Sequence, residues 1–429
     1  MASVVYGADG AILRLMLDIR FIRDNRELVE KTSREKGYTV DIGALLERDT
    51  ERRELQAKVD ELRTKQNQIS AQMKGGKPSP ELIGQATAFK NELATQEPLL
   101  RELEATCAEL LAGIPNVTFD DVPVGGEDAS VEIKKFGEQN EGAVDHLDFA
   151  TKRDWVDFER GAKVAGAKFY YLKGDLALLE NAITQYALDF VTKKGFTFMT
   201  VPHLVNQRTL TGTGFAPRTS DQSDEYAIEG EDLSLIATAE ISLTGLHADE
   251  IIDEKDLPLQ YAALSPCYRK EAGTYGKHTR GLFRVHQFNK LEMYAFTTPE
   301  NSKDMHEQIL AIEEELWQSL DIPYHVINIA SGDLGAPAAK KYDIEYWSPV
   351  DKIYRELTSC SNCTNFQTRN LNIRVRRSNG TIEMLHSLNG TAVSLARSLV
   401  AVIEHYQNDD GTLRVPAVLQ PYLGGREQL

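Results

Sequence analysis

The chain has 429 residues, of which 41% are hydrophobic and 26% are charged, and its formal net charge is −17. These values are typical of an ordinary globular protein of two or three domains. The acidic balance excludes general electrostatic attraction to nucleic acid, so a polyanionic partner would have to meet a local basic patch. No apolar run approaches the ~20 residues that a membrane span needs.

The N-terminal segment, Met1 to Arg14, lacks the basic start of a secretory signal, and we expect the native chain to begin at Met16. Too few cysteines are present for a disulfide framework in a chain this long, which indicates a reducing cytoplasm. Cys360 and Cys363 have the spacing of a zinc knuckle, but a closed site needs four ligands and no histidine pair lies nearby. Structural zinc is therefore disfavoured.

The first predicted element is an antiparallel helical hairpin. Apolar positions alternate spacings of three and four from Leu55 to Met73 and again from Leu82 to Ile114. The turn residues of 74–80 separate the two runs. Each arm should have about 30 residues and be roughly 45 Å long. Pro98 falls inside the second helix, where it should kink the helix or remove a hydrogen bond.

The end of this hairpin is basic. Residues 62–80 contain four cations and no acidic residue: Arg63, Lys65, Lys74 and Lys77. A basic tip on a projecting rod in an acidic protein predicts contact with phosphates. The alternative is a solvated coiled-coil face that serves in dimerisation or as a spacer.

A second domain follows an acidic linker, and we place the division at 1–125 and 126–429. Its predicted helices cover Leu176–Lys194 and a final segment whose buried face includes Val393, Ala396, Val400 and Ile403. Few strand–helix–strand spacings of the kind that a parallel sheet needs occur in this domain. We therefore predict an α+β fold in which helices flank an antiparallel sheet. The predicted strands are Gly195–Pro202, Leu259–Leu264, Gln287–Phe296, Tyr324–Ile329, Asp343–Trp347 and Leu371–Arg376.

Groups suited to a nucleotide triphosphate recur in this domain. Arg269 can fork onto two phosphate oxygens, with Glu271 on the same face of a strand. The Gly-rich segment 272–283 is typical of a flap over phosphates, and Phe288 can offer its ring to a purine. Glu356 and Ser359 are hard oxygen ligands suited to Mg²⁺, and Arg397 can clamp a terminal phosphate. Each of these is more often structural when it occurs alone.

A second group suits an amino acid. Glu240 and Glu292 can meet an ammonium and a hydroxyl, with Thr238 adding a hydroxyl group. A Thr-x-Glu tripeptide is more often an N-terminal helix cap. His286 lies between candidate site residues, and a packing or hydrogen-bonding role is favoured over that of a catalytic base.

Taken in order, these motifs resemble the bacterial-type seryl-tRNA synthetases, which are class II aminoacyl-tRNA synthetases. Residues 195–202 resemble class II motif 1, and residues 267–292 resemble motif 2. Residues 388–397 resemble motif 3, with Ala392 in the place of a glycine of the general pattern. Thr238-Ala239-Glu240 matches the serine-recognition signature, and the hairpin matches the tRNA-binding arm of the family.

The resemblance implies a homodimer that joins L-serine to tRNA(Ser) with ATP and Mg²⁺, and leaves tRNA(Sec) open as a second acceptor. Arg269 and Arg397 are the catalytic candidates, and Glu356 and Ser359 the Mg²⁺ ligands. The implied ATP site comprises Arg269, Lys270, Glu271, Val285, Phe288, Glu356, Leu357, Thr358, Ser359 and Arg397. The implied serine site comprises Thr238, Ala239, Glu240, Arg269, Glu292, Asn389 and Thr391. The tRNA would contact the basic tip of the arm and bring its acceptor end to the site.

Two other functions stay open at this stage. A paralogue could activate serine and deliver it to a carrier protein or a small metabolite, although such an acceptor gives no reason for a basic rod. A coiled-coil binding module on an inactive synthetase fold is the third possibility. The apparently complete ATP-binding set weighs against it.

Overall fold

The structure is a computed structural model that describes residues 19–73, 78–215, 224–271 and 280–429. Contacts divide the chain into two compact units, 1–117 and 118–429. The division falls eight residues before the boundary that we placed at 125, and Val122 packs with Ile329 and Leu334 of the second unit.

The first unit is helical. Its helices in chain order are α1 (Ile19–Asp24), α2 (Arg26–Glu35), α3 (Ile42–Met73) and α4 (Pro80–Ala112). Helix α4 begins directly after its cap residue, Ser79, whose Oγ accepts a hydrogen bond from the Leu82 N–H at 3.2 Å. Pro80 suits the first helical position because it has no N–H to leave unbonded there. The helix continues through Pro98, which therefore removes a hydrogen bond without ending the helix.

The predicted hairpin is confirmed. Helices α3 and α4 have 32 and 33 residues. Their distal halves share an apolar cluster of Val59, Leu62, Leu93 and Leu100, against which Leu55 and Phe89 pack. A separate cluster at the base joins both helices to α1 and α2 through Ile22, Val29, Ile42, Leu45, Cys107, Leu111 and Ile114.

The second unit contains sixteen strands among its described residues. They are β1 (Val131–Phe136), β2 (Val156–Asp157), β3 (Tyr171–Leu172), β4 (Thr197–Met199), β5 (Leu204–Asn206), β6 (Tyr226–Ala227), β7 (Leu233–Leu235), β8 (Ile251–Asp253), β9 (Leu259–Tyr268), β10 (Gln287–Thr297), β11 (Tyr324–Asn328), β12 (Lys340–Ser348), β13 (Ile353–Asn362), β14 (Arg374–Arg376), β15 (Ile382–Met384) and β16 (His386–Ser394). Its helices are α5 (His146–Lys152), α6 (Phe158–Ala165), α7 (Gly174–Lys193), α8 (Gln207–Gly212), α9 (Ala239–Gly245), α10 (Ser302–Ser319), α11 (Phe366–Asn370) and α12 (Leu395–Tyr406).

Eight of the strands form one sheet in the order β1-β11-β12-β13-β16-β10-β9-β4. Every pairing is antiparallel except that of β4 with β9, so the predicted antiparallel sheet is confirmed. Helices α7, α10 and α12 cover one face, where Ile183, Trp317 and Val400 share a core with Met293 of β10. Tyr294, the next residue of β10, packs in a second cluster on the opposite face.

Three local predictions were wrong. Val393 pairs with Leu291 in the ladder between β16 and β10, and the helix begins only at Leu395; apolar residues spaced by three cannot mark where a strand gives way to a helix. Leu371 follows helix α11, and only Arg374–Arg376 forms a strand, beside β8 and β15. Strand β9 ends at Tyr268, so Arg269 and Glu271 do not share a strand face.

None of the helices in the described ranges is both long enough and apolar enough to cross a membrane. All four cysteines are buried, and none of them forms a disulfide.

Candidate active site

A cleft opens where the central strands meet the N-terminus of α12. Ten of its sixteen lining residues come from the predicted sets: Arg269, Glu271, Val285, Phe288, Glu356, Leu357, Thr358, Ser359, Thr391 and Arg397. Residues more than 120 positions apart thus converge on one cavity. The sheet brings them together because β13, β16, β10 and β9 are consecutive neighbours.

The cationic side of the cleft is formed by Arg269 and Arg397. The Arg269 guanidinium lies 5.3 Å from the centre of the Phe288 ring, in cation–π range. Its backbone is held by His286, which accepts the Arg269 N–H through its carbonyl at 3.0 Å and bonds the Arg269 carbonyl through Nδ1 at 2.8 Å. His286 therefore positions the arginine backbone.

Arg397 and Glu356 face each other across the cleft. Arg397 Nη1 lies 3.0 Å from Glu356 Oε1, and the arginine stacks over the Phe283 ring at 5.0 Å. Burial opposes ionisation of Glu356, but the charges of Arg397, Lys341 and Arg269 hold its pKa at about 2. Glu356 is therefore anionic at neutral pH, as a ligand of a hard cation must be.

Two predicted ATP contacts have other partners here. Glu271 adopts a left-handed backbone conformation (φ +51°) and pairs with Arg284 at 2.7 Å. The Lys270 ammonium lies over the Tyr226 ring at 5.6 Å, away from the cleft. Most of the predicted flap, residues 272–279, lies outside the described residues.

Two buried carboxylates lie behind the cleft. Glu292 lies opposite Thr391 in the ladder between β10 and β16, and its Oε2 is 2.6 Å from Lys290 Nζ. Glu240, in the first turn of α9, accepts hydrogen bonds from Gln367 at 2.8 Å and Asn389 at 2.9 Å. These two acids and the amides that bond Glu240 therefore form a buried acidic cluster beside Lys290 and Thr391, which line the cleft.

The pKa values of both carboxylates are raised, mainly by burial. Burial raises the pKa of Glu240 to about 7, and the nearby Glu292 charge adds to the rise. Burial also raises the pKa of Glu292, against the opposing charge of Lys290. The burial of two acids this close together, with a single lysine beside them, is typical of functional sites and not of a packed core.

Thr238 and Ala239 form the start of α9. The Thr238 hydroxyl accepts the Glu240 N–H at 3.3 Å, so the residue caps the helix, and Ala239 is fully buried. The capping interpretation and the pocket interpretation of this tripeptide are thus compatible.

Gln367 belongs to no motif and was not predicted as a site residue. Its amide nitrogen donates to Glu240 and to the Thr213 carbonyl, and its oxygen accepts from Tyr294 and Ser387 at 2.8 Å each. These bonds fix the orientation of Glu240 from 127 residues away. Lys290 was also missed as a site group, although it shares a strand face with Glu292.

Comparisons with known proteins find relatives of both parts of the chain. Residues 224–406 match the family model described as the tRNA synthetase class II core domain (G, H, P, S and T), and residues 16–118 match the seryl-tRNA synthetase N-terminal domain. A serine–tRNA ligase of Dictyoglomus turgidum is 44% identical, with 95% of this chain and 98% of the relative covered.

Two solved structures are similar over nearly the whole chain. The seryl-tRNA synthetase of Pyrococcus horikoshii complexed with ATP has a TM-score of 0.87 at 39% identity, covering 96% of this chain and 99% of that one. The cytoplasmic serine–tRNA ligase of Naegleria fowleri in complex with AMP has a TM-score of 0.83 at 33% identity, covering 96% and 98%.

The sheet and its cleft define the catalytic core of a class II aminoacyl-tRNA synthetase. With the N-terminal helical unit included, the similarity extends over both parts of the molecule. The chain belongs to the seryl-tRNA synthetase family.

Proposed function

We propose that the cleft binds ATP and the adjoining acidic pocket binds L-serine, so that the protein forms seryl-adenylate and transfers the seryl group to tRNA(Ser). The observation that carries this proposal is the junction of the two groups of residues: Arg269, Arg397 and Thr391 line the cleft, and Thr391 lies opposite the buried Glu292 in the ladder between β16 and β10. The two similar structures are complexes with ATP and with AMP.

The first step is the attack of the serine carboxylate on the α-phosphorus of ATP, which breaks the α–β phosphoanhydride bond and releases pyrophosphate. Arg269 would stabilise the charge on the reacting phosphate, and Arg397 the charge on the terminal phosphate. Phe288 would stack on the adenine ring. Catalysis then depends on positioning and charge stabilisation, without a dedicated acid or base.

The second step is the attack of a 3′-terminal ribose hydroxyl of tRNA on the seryl carbonyl, with AMP as the leaving group. Arg269 remains beside the phosphate of the leaving AMP. The same proposal leaves tRNA(Sec) as a second acceptor to be tested.

Mg²⁺ fits the donor set of the cleft. Glu356 is held in its anionic form, and the Ser359 hydroxyl comes from the same strand and lines the same cavity. When bound there, the ion would neutralise phosphate charge. Arg397 would have to exchange its bond with Glu356 for one with phosphate.

The helical arm is the proposed tRNA contact. Arg63 pairs with Glu97 at 3.0 Å and Lys65 with Glu61 at 2.6 Å, all on exposed surface. Exposed pairs of this kind contribute only about 0–1 kcal/mol, so tRNA phosphates can replace the carboxylates. Lys74 and Lys77 lie outside the described residues.

We further propose a homodimer in the cytoplasm. Exposed apolar side chains occur on α7 and β4 of the catalytic unit, where Leu178 is 50% exposed and Phe198 is 41% exposed. An interface between two copies would remove this surface from water. The free cysteines agree with a reducing compartment.

The substrate assignment predicts that purified tRNA is charged with serine and not with alanine or threonine. Alanine lacks the hydroxyl, which leaves buried polar groups unpaired, and sites of this kind discriminate by about 10⁴-fold. The measurement is aminoacylation with each amino acid separately. Serine-dependent pyrophosphate exchange without charging of any tRNA would instead support a carrier-acylating paralogue.

The KM for serine should depend on pH in the direction set by Glu240. In the free protein this carboxyl takes up a proton below about pH 7, and only its charged form attracts an ammonium. The KM should therefore rise as the pH falls below 7, by up to about tenfold per unit. Pyrophosphate exchange across the range tests this.

A Glu240→Gln variant is the control for that profile. It cannot ionise, so its KM should be higher at neutral pH and nearly independent of pH below 7. A wild-type KM that stays constant between about pH 5.5 and 7.5 would contradict the assignment of Glu240 to the ammonium.

A further inference from the structure

A buried histidine connects two elements next to the cleft. His146 is the first residue of α5 and is 2% exposed. Its Nε2 accepts the backbone N–H of Leu282 at 3.3 Å, and its Nδ1 lies 3.3 Å from Glu404 Oε1 of α12. Leu282 lies in the short segment, residues 280–286, that leads into strand β10.

These bonds determine the protonation of the ring. Because Nε2 accepts the N–H of Leu282, the ring proton lies on Nδ1 and points to Glu404. The other oxygen of Glu404 accepts hydrogen bonds from Ser348 at 2.9 Å and Tyr346 at 3.3 Å. His146 is thereby held in one tautomer and one orientation.

The residues before Leu282 are attached to the same helix end. Arg280 bonds Asp148 at 2.5 Å and lies 3.1 Å from Asp145. Gly281 has φ +64°, and a Cβ on it would lie 2.4 Å from His146 Nε2. Only glycine fits between the histidine and this turn.

The residues after this attachment line the cleft. Leu282 and Phe283 both face it, and the Phe283 ring lies 5.0 Å from the guanidinium carbons of Arg397 and Arg355. His146 is therefore linked to Arg397 in three steps. These are its hydrogen bond to the Leu282 N–H, the backbone from Leu282 to Phe283, and the contact of the Phe283 ring with the Arg397 guanidinium.

We propose that His146 is a positioning residue for the ATP half of the site. By fixing Leu282 it fixes Phe283, and with it the direction of Arg397. This inference rests on the proposed function. It assigns to His146 no contact with substrate and no proton transfer.

The same residues could be taken for a metal site, because ligand atoms of Asp145, His146 and Glu404 lie within 4.8 Å of one another. The hydrogen bonds argue against this, since Nε2 is engaged by Leu282 and both Glu404 oxygens have protein partners. Stoichiometric metal in the purified protein that His146→Gln removes would overturn the positioning role.

The test is serine-dependent pyrophosphate exchange by His146→Leu and His146→Gln. The leucine removes the partner of the Leu282 N–H and of Glu404 Oε1, so the KM for ATP should rise by about tenfold or more while the KM for serine stays within about twofold. The glutamine offers an acceptor to Leu282 and should restore most of the KM for ATP.

A matched control separates this effect from general loss of stability. His405 is the next residue of α12 and bonds the Trp347 carbonyl at 2.7 Å, without any link to Leu282. His405→Leu should lower the melting temperature while leaving the KM for ATP within about twofold. Equal rises in both KM values, or no rise in His146→Leu, would overturn the inference.

A second variant disturbs the same contact without replacing the buried histidine. Gly281→Ala should push the turn away from His146 and produce the same selective rise in the KM for ATP. Gly380→Ala carries similar backbone strain at φ +87° with no atom within 4 Å of its Cβ, and serves as its control. Exchange that is absent in the wild type would contradict the proposed function itself, whereas wild-type KM values in Gly281→Ala would contradict only the role of His146.

Discussion

Replacing Arg269 with alanine is expected to lower serine-dependent pyrophosphate exchange by about 10³-fold. Arg269 lies directly after β9 and lines the cleft. His286 bonds both the N–H and the carbonyl of Arg269 and so fixes its backbone. The charge of Arg269 also helps to lower the pKa of Glu356 and opposes the rise that burial produces in the pKa of Glu292. The variant therefore loses phosphate stabilisation and disturbs the charge balance of both halves of the site.

A matched arginine gives the control for this result. Arg208 is in the same unit and bonds Asp249 at 2.7 and 2.9 Å on the exposed surface. Arg208→Ala should retain exchange within about twofold. If Arg269→Ala also exchanges at a near-normal rate, the guanidinium has no part in the reaction and the site assignment is wrong.

The elements that could be predicted have local causes. The turn residues of 74–80 and the alternating apolar spacings are sufficient to predict the hairpin, since the two helices pack through one apolar stripe on each. The long strands β9 and β10 are visible because their side chains alternate between two covered faces. The wrong predictions fall at the ends of strands and helices, as at Val393, Leu371 and Arg269, because pairing with distant strands decides where each element ends.

The site could be predicted only where the chemistry is carried by a recognisable run of residues. Arg269, Phe288, Glu356 and Arg397 belong to such runs, and the sheet brings them to one cleft. The groups that orient them do not, because a glutamine or histidine that bonds a partner more than 100 residues away leaves no local pattern. Glu271 was placed on a strand because nothing nearby signals its left-handed backbone.

Shortening the arm should abolish most charging of tRNA and spare the activation of serine. The distal cluster of Val59, Leu62, Leu93 and Leu100 is separate from the cluster at the base of the unit. Residues 56–99 can therefore be replaced by a short glycine–serine linker that joins Leu55 to Leu100, with the base retained. All residues that line the cleft belong to the other unit, so pyrophosphate exchange should stay within about twofold.

Aminoacylation of tRNA by this variant should fall by about 10³-fold, because hydrogen bonds to charged groups contribute about 1.5–3 kcal/mol each and two or three would be lost. The exchange reaction of the same preparation is the internal control, since it reports an intact cleft. The remaining tRNA affinity should also depend less on salt, because fewer phosphates are neutralised. Full charging without the arm would mean that the rod serves as a spacer or in dimerisation, and that the acceptor is recognised by the catalytic unit alone.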